Sequence, residues 1–384
     1  MTERLYDVNS HMRDFTAKVL SCAGMNGKYE LVLDKTAFFP GGGGQAPDSG
    51  KIGGARITDV FERGGDVVHI ADAAVPEGQE VSCGIDWETR FRRMQNHSGE
   101  HIVSGIVHRL FGYDNVGFHM GDHTVTLDFS GELSPDDVQR IETLANLAVY
   151  QNLPVTTAFH TPDELSSLSY RSKLEFTGAV RLVTIPGVDC CACCAPHVEY
   201  TGEIGIIKIL DAQRHRGGMR LTAACGLDAL DDYNLRCENI SAISEALSAK
   251  QMETAAAVHR VLAALEAANR RADHAWQRLL AYRIKMLQPS EGNLCIFEPE
   301  MDLVCLRELV NAGMKQAGGV CAAFTGEDGD YHYIIGSESV DLQARTGRIN
   351  AAIKGRGGGS KSMIQGVSRA GKQQIETFFL NETV

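Results

Sequence analysis

The sequence predicts an α+β protein in four parts: a small N-terminal β-barrel, a mixed α+β domain around a histidine–cysteine constellation, a long helical hairpin, and a small C-terminal α/β domain. Three observations carry this. Short β-rich runs broken by glycine turns fill residues 1–88. From residue 229 to about 287 there is no proline and no glycine, while Leu and Ala recur at helical spacing. Elsewhere strand-like and helix-like segments alternate.

Each part has its own signals. In 1–88, YELVLDKTAFF and DVVHIADAAV read as strands, and GGGG and GG separate such segments, as in a small barrel. The texture changes at Trp87. ETRFRRMQNHSGEHIVSGIVHRLFG predicts a helix with Ile102, Ile106 and Leu110 on its apolar side. HTVTLDFS reads as a strand. SPDDVQRIETLANLAVYQN opens on Ser134 as N-cap, followed by Pro135, and reads as a helix. VRLVTIPGV and IGIIKILDAQ are strands around a cysteine-rich loop, which completes a domain over 89–228. The Leu/Ala stretch predicts two long helices, paired as an antiparallel hairpin over 229–290, with Pro289 and Gly292 marking the exit. In 291–384, NLCIFEP, VCAAFTG and YHYIIGS read as strands, and LRELVNAGMKQ and DLQARTGRINAAIK as helices.

Composition narrows the function. The N-terminal MTERLYDVNSHMRDF lacks the apolar stretch of a signal peptide, and no run approaches the ~18 apolar residues of a membrane span. No membrane partner is expected. Eleven cysteines, an odd number, argue against a complete disulfide framework and for a reducing, cytoplasmic setting. The net charge of −12 argues against a nucleic-acid partner, but the charge is uneven. Gln343 to Lys372 holds seven basic residues and no acidic one, a plausible phosphate-backbone footprint. A solvated basic surface without a partner accounts for it equally well.

The chemistry gathers in two half-motifs. His97 and His101 lie four apart on the predicted helix, so both rings share one face and can share a metal. The pattern is not H-E-x-x-H, because position 98 is serine. Glu100, beside the second histidine, is expected to project elsewhere, so a zinc protease would lack its base. The second half is CCACCAPHVEYTGEIG, where Cys193 and His197 give C-x-x-x-H. One thiolate and three imidazoles complete a zinc tetrahedron. Spacing alone leaves three alternatives open: Cys194 in place of Cys193, a redox pair among Cys190 to Cys194, and a purely structural metal site.

The two halves together, H-x-x-x-H and then C-x-x-x-H followed by V-x-x-T-G-E-I-G, resemble the editing domain of alanyl-tRNA synthetase. HSGEH, GFHMGDHTVTLDF and CCAPHVEYTGEIGIIKI carry the likeness, and FFPGGGGQAPDSG resembles the segment that precedes that domain. The whole is similar to a long-form, free-standing alanyl-tRNA editing protein of the AlaX type. That resemblance implies one zinc ion per chain on His97, His101, Cys193 and His197. It implies, as partner and substrate, tRNA(Ala) carrying a wrong amino acid, serine or glycine, whose ester is hydrolysed. This sequence departs from the family between the last two ligands, where Cys194-Ala195-Pro196 replaces a segment that contains glycine and threonine.

Zinc can activate a water as a Lewis acid, but four protein ligands make the closed kind of site that is usually structural. A tRNA-binding module with a structural zinc and no hydrolysis is therefore the competing expectation. Polar groups must meet the serine hydroxyl, and the candidates are Gln45 after the glycines Gly41 to Gly44, Thr124 and His119. GRGGGSKS at 355–362 nearly matches G-x-x-x-x-G-K-S, but Ser360 stands at the required glycine, so no nucleotide cofactor is expected. It resembles instead the glycine-rich stretch of the synthetase's C-terminal domain, shared with DHH-family phosphoesterases, whose Asp-His-His motif is absent here. Arg356, Gly357, Gly358, Gly359 and Lys361 are accordingly the expected RNA-binding residues. The sequence does not set an oligomeric state.

Overall fold

The structure is a computed structural model that describes residues 1–172 and 178–381. Residues 382–384, assigned above to the C-terminal domain, and 173–177, within the second domain, lie outside the described residues. Two units separate, Met1–Ala242 and Ile243–Val384. Among the described residues no helix is long and apolar enough to cross a membrane. The chain is a mixed α+β protein with several sheets.

The first unit begins with β1 (Glu3–Arg4), α1 (Leu5–Val8), β2 (Asp14–Met25), β3 (Lys28–Leu33), β4 (Lys35–Thr36), β5 (Gly50–Ile52), β6 (Ala55–Arg63), β7 (Asp66–Ala71) and β8 (Glu80–Ile85). Strands β2-β3-β7-β6-β5-β8 close on themselves in that order. Alternate residues such as Val19, Leu31, Leu33, Ile57 and Val67 fill the interior. Register shifts at Val19/Ser21 and Ile57/Asp59 add the local bend that closure requires. The connection from β4 to β5 carries Gly41–Gly44 and Gln45.

There follow α2 (Trp87–Phe111), β9 (Asn115–Met120), β10 (Val125–Phe129), α3 (Pro135–Tyr150), β11 (Thr156–His160), α4 (Pro162–Leu165), β12 (Val180–Ile185), β13 (Asp189–Ala192), β14 (Ile207–His215), β15 (Gly218–Cys225) and α5 (Leu227–Ala246). Two sheets form, β14-β15-β10-β9 and β11-β12-β13. Ser134 caps α3 and exchanges hydrogen bonds with Asp137, as the N-cap assignment expects. Helix α2 differs from an ordinary amphipathic helix. Every residue from Met94 to Val107 is buried, including Gln95, Asn96, His97, Ser98, Glu100, His101 and Ser104. Buried polar groups need partners, so this density of them marks the helix as the functional element.

Between α5 and the next helix the chain turns at Ser248, whose φ of 48° is left-handed. The Leu/Ala stretch is thus two helices, and the break is hidden because a serine takes the position that glycine usually fills. The second unit contains α6 (Thr254–Met286), β16 (Leu294–Phe297), α7 (Leu303–Gly313), β17 (Cys321–Glu327), β18 (Asp330–Gly336), α8 (Leu342–Ala352), β19 (Gly355–Gly359), β20 (Met363–Ser368) and α9 (Lys372–Asn381). Its sheet runs β16-β17-β18-β20-β19. Both faces are covered: Phe324, Tyr333, Ile349 and Phe379 pack on one, Leu280, Leu306, Val310 and Ala323 on the other. GRGGGSKS is edge strand β19 and its turn into β20, not the strand–loop–helix of a nucleotide site.

Candidate metal centre

His97 and His101 leave α2 one turn apart and meet Cys193 and His197 from the loop after β13. One ligand-capable atom from each lies within 4.8 Å of the others. His97 Nε2 is 3.6 Å and His197 Nε2 3.4 Å from Cys193 Sγ. The ring centroids of His97 and His101 stand 4.8 and 4.6 Å from that of His197. All three histidines are buried at 2% exposure, which leaves bulk water little access to the converging nitrogens.

The other nitrogen of each ring is occupied. His97 Nδ1 donates to Gln45 Oε1 at 3.0 Å, His101 Nδ1 to Asp189 Oδ2 at 3.0 Å, and His197 Nδ1 bonds Ser98 Oγ at 3.0 Å. A proton on Nδ1 leaves the lone pair on Nε2, the nitrogen that points at the cluster. The partners are themselves held. Arg171 donates to both oxygens of Asp189, at 2.7 and 2.8 Å. Arg181 Nη1 donates to the carbonyls of Cys193 and Ala195, at 2.9 and 3.0 Å, and so fixes the thiolate loop. Gly105, one turn beyond His101, lets β13 approach: a Cβ there would lie 2.5 Å from Val188 O and 2.7 Å from Asp189 Cβ.

Electrostatics separates the cysteines. Burial opposes a charge on Cys193, but the surrounding imidazoles of His97, His197 and His101 hold its thiol well below the usual range. Burial instead pushes Cys191 up to about 11. Burial also drives His197 down to about 3, so that ring is neutral. A thiolate among three imidazoles is a donor set that suits a metal ion, and Cys193 is the cysteine that stands in it. Cys194 Sγ lies outside the four, against the glycine connection, 3.3 Å from where a Cβ on Gly42 would be.

The glycine connection covers the cluster. Gly42 and Gln45 exchange backbone hydrogen bonds, both 3.0 Å, across a tight turn in which Gly43 and Gly44 have φ of 58° and 86°. A Cβ on Gly43 would sit 3.8 Å from His97 Cε1, and one on Gly44 2.5 Å from Phe118 Cδ1. Phe118 in turn packs on His97, with centroids 5.1 Å apart. Gln45 is 3% exposed, and its Nε2 has no hydrogen-bond partner among the described residues.

The other expected pocket residues lie elsewhere. His119 is exposed and one residue along β9 from Phe118, hence on the opposite face of the strand. Thr124 sits in the β9–β10 turn, where its carbonyl accepts from Gly121 N–H. Neither bonds to any of the four cluster residues. Glu100 corrects the expectation that it points away. It is buried, its Oε1 accepts from Ser104 Oγ and Asn115 Nδ2 at 2.7 Å each, and its Oε2 is 3.8 Å from His101 Nε2. Asp189, Ser98, Arg171 and Arg181 were missed. Only Asp189 had a readable signal, an acid four residues before the thiolate. In the second unit, Arg356, Gly357, Gly358, Gly359 and Lys361 are all exposed, and Lys361 Nζ lies 4.0 Å from Asp341 Oδ2.

Residues 180–221, which hold Cys193 and His197, match the family described as the threonyl and alanyl tRNA synthetase second additional domain. The chain is 25% identical to the alanyl-tRNA editing protein AlaX-L of Pyrococcus horikoshii over 98% of its own length and 96% of that protein. It is 32% identical to the alanyl-tRNA editing protein Aarsd1 of Danio rerio over 53% of each chain. It is 30% identical to the alanine–tRNA ligase of Pyrobaculum neutrophilum over 98% of this chain and 44% of the ligase. The chain thus spans about half of the last two relatives and nearly all of the first. With both half-motifs brought together in the fold, the chain is similar over nearly its full length to the AlaX-L type of alanyl-tRNA editing protein.

Proposed function

We propose that the chain is a trans-editing hydrolase that removes serine or glycine from mischarged tRNA(Ala), at a zinc centre formed by His97, His101, Cys193 and His197. The observation that supports this best is the buried convergence of three imidazoles and a thiolate beneath a glycine turn, in a chain related over almost its full length to an editing protein. Zinc bound there would polarise the ester carbonyl or its attacking water. The protein's own part is to hold three rings in one tautomer, keep out bulk water and admit the substrate's small groups along the glycine backbone.

Gln45 supplies selectivity. Its Nε2 is a buried donor with no acceptor in the protein, and an unmet donor of this kind costs about 1–3 kcal/mol. A serine hydroxyl satisfies it, whereas the methyl of alanine does not. Residues 291–384 would bind tRNA, with Arg356, Lys361 and the backbone of Gly357 to Gly359 on phosphates. The four parts 1–88, 89–228, 229–290 and 291–384 would then be a barrel that supplies the glycine turn, the editing domain, a helical-hairpin spacer and the tRNA anchor, working in the cytoplasm.

The competing reading, a tRNA-binding module with a structural zinc, is favoured by one observation: four protein groups already complete a tetrahedron. Incubating the metal-loaded chain with seryl- and alanyl-tRNA(Ala) separates them. Rapid clearance of the first and sparing of the second is expected. Equal or negligible deacylation of both overturns the proposal and leaves the structural reading.

A further inference from the structure

Arg90 is 1% exposed and is among the largest fully buried side chains in the molecule. A guanidinium is rarely placed so deep unless every N–H is met. Arg90 Nε lies 3.0 Å from both oxygens of Asp48, its Nη1 donates to Ser10 O at 3.0 Å, and its Nη2 donates to Ala37 O at 2.7 Å and to Asp48 Oδ2. Asp48, 2% exposed, also accepts from Phe39 N–H at 2.7 Å, and its own N–H donates to Phe39 O at 3.0 Å. Phe39 and Asp48 are therefore clamped together at the base of the glycine turn. Three residues on from Arg90, Arg93 Nη1 donates to Pro47 O at 2.7 Å. Arg90, Arg93 and His97 stand at i, i+3 and i+7 on α2, so one helical face holds the base of the turn and, through Gln45, its tip.

We propose that Arg90 and Asp48 are positioning residues: their buried ion pair fixes the 39–48 segment to α2, so that Gln45 stays bonded to His97 with its spare donor over the cluster. The clamp acts through Gln45. A rigid turn keeps the Nε2 donor oriented without a partner before substrate arrives. A loose turn would let the amide rotate away, and discrimination would fall although the ligands remained. The inference rests on the editing reading for its activity readout, but not for its structural one.

The experiment is a double-mutant cycle in the full-length, zinc-loaded chain with Asp48→Asn, Gln45→Ala and the pair. Three quantities are read: the seryl/alanyl deacylation ratio, bound zinc per chain, and hydrogen exchange of residues 40–47. Asp48→Asn is expected to lower the ratio roughly 10-fold, leave about one zinc per chain and speed exchange in 40–47 but not in α2. In the Gln45→Ala background it should change the ratio by less than about twofold, because both changes remove one device. A merely structural role predicts multiplied effects in the pair, or faster exchange throughout α2, and either overturns the proposal. If Asp48→Asn fails to fold, Arg93→Ala, which removes the bond to Pro47 and leaves the Arg90–Asp48 pair in place, must show the same non-additivity at smaller size. If the wild-type chain edits nothing, exchange still decides: protection of 40–47 unchanged by Asp48→Asn or Arg93→Ala rejects the clamp, and selective loss supports it.

Discussion

The histidine–cysteine cluster in the first unit and strand β19 in the second both combine glycines with basic side chains, but the cluster is buried and the strand is open. Around the cluster, arginines face inward and are consumed by the protein: Arg90 by Asp48, Arg171 by Asp189, Arg181 by the carbonyls of Cys193 and Ala195. They set geometry rather than offer charge. Arg356 on β19 and Lys361 in the turn after it are exposed, at the edge of a sheet whose outer strand is nearly all glycine. There charge remains available to a partner. Glycine differs too. In the turn it provides positive φ over the histidine–cysteine cluster, whereas in the strand Gly357 provides close approach, since a Cβ there would lie 2.2 Å from Gln365 O.

The contrast can be tested from its strongest point downward. Cys193→Ser should abolish zinc retention and lower deacylation by about a thousandfold or more, because the thiolate is the cluster's one anionic donor. Metal analysis beside single-turnover rates checks this; a variant that loses zinc yet hydrolyses normally would separate the cluster from the chemistry. Asp189→Ala acts one layer out. It frees the His101 ring and strands Arg171, and zinc affinity measured against a chelator should fall about 10–100-fold. Gly357→Ala should destabilise the C-terminal unit by about 1–3 kcal/mol, while Gly358→Ala, with open space around its Cβ position, should change stability little. Thermal melts of the two variants compare them. Neutralising Arg356 and Lys361 together should leave zinc and stability alone, weaken tRNA binding and reduce the slope of log K against log salt by about 1–2. An unchanged slope would remove β19 from the RNA interface.

Spacing and family likeness read differently well in the two regions. His97, His101, Cys193 and His197 were legible because helical periodicity and the C-x-x-x-H interval are local properties of the chain. Their supports were not. Asp189 reaches His101 across 88 residues, and Arg90 reaches Asp48 across 42, so only the folded topology pairs them. Arginine is also normally exposed, and RFRRMQ therefore resembles a solvated basic turn rather than a buried clamp. The glycines before Gln45 mark it for the pocket, yet its bond to His97 depends on a turn built from four glycines in left-handed or extended positive-φ geometry. Strand β19 was hidden for the opposite reason: glycine is depleted in strands, so GRGGG suggests a loop until β20 is seen to pair with it.

In the proposed reaction, hydrolysis depends on a metal held by His97, His101, Cys193 and His197. The most direct test of that dependence is to strip the full-length chain with a chelator, restore zinc in graded amounts and measure the rate of seryl-tRNA(Ala) deacylation at each step. The rate should rise in proportion to added zinc and level off at one equivalent per chain, with no recovery in Cys193→Ser. A rate that is unaffected by stripping, or a fully loaded chain that leaves seryl-tRNA(Ala) intact, would contradict it.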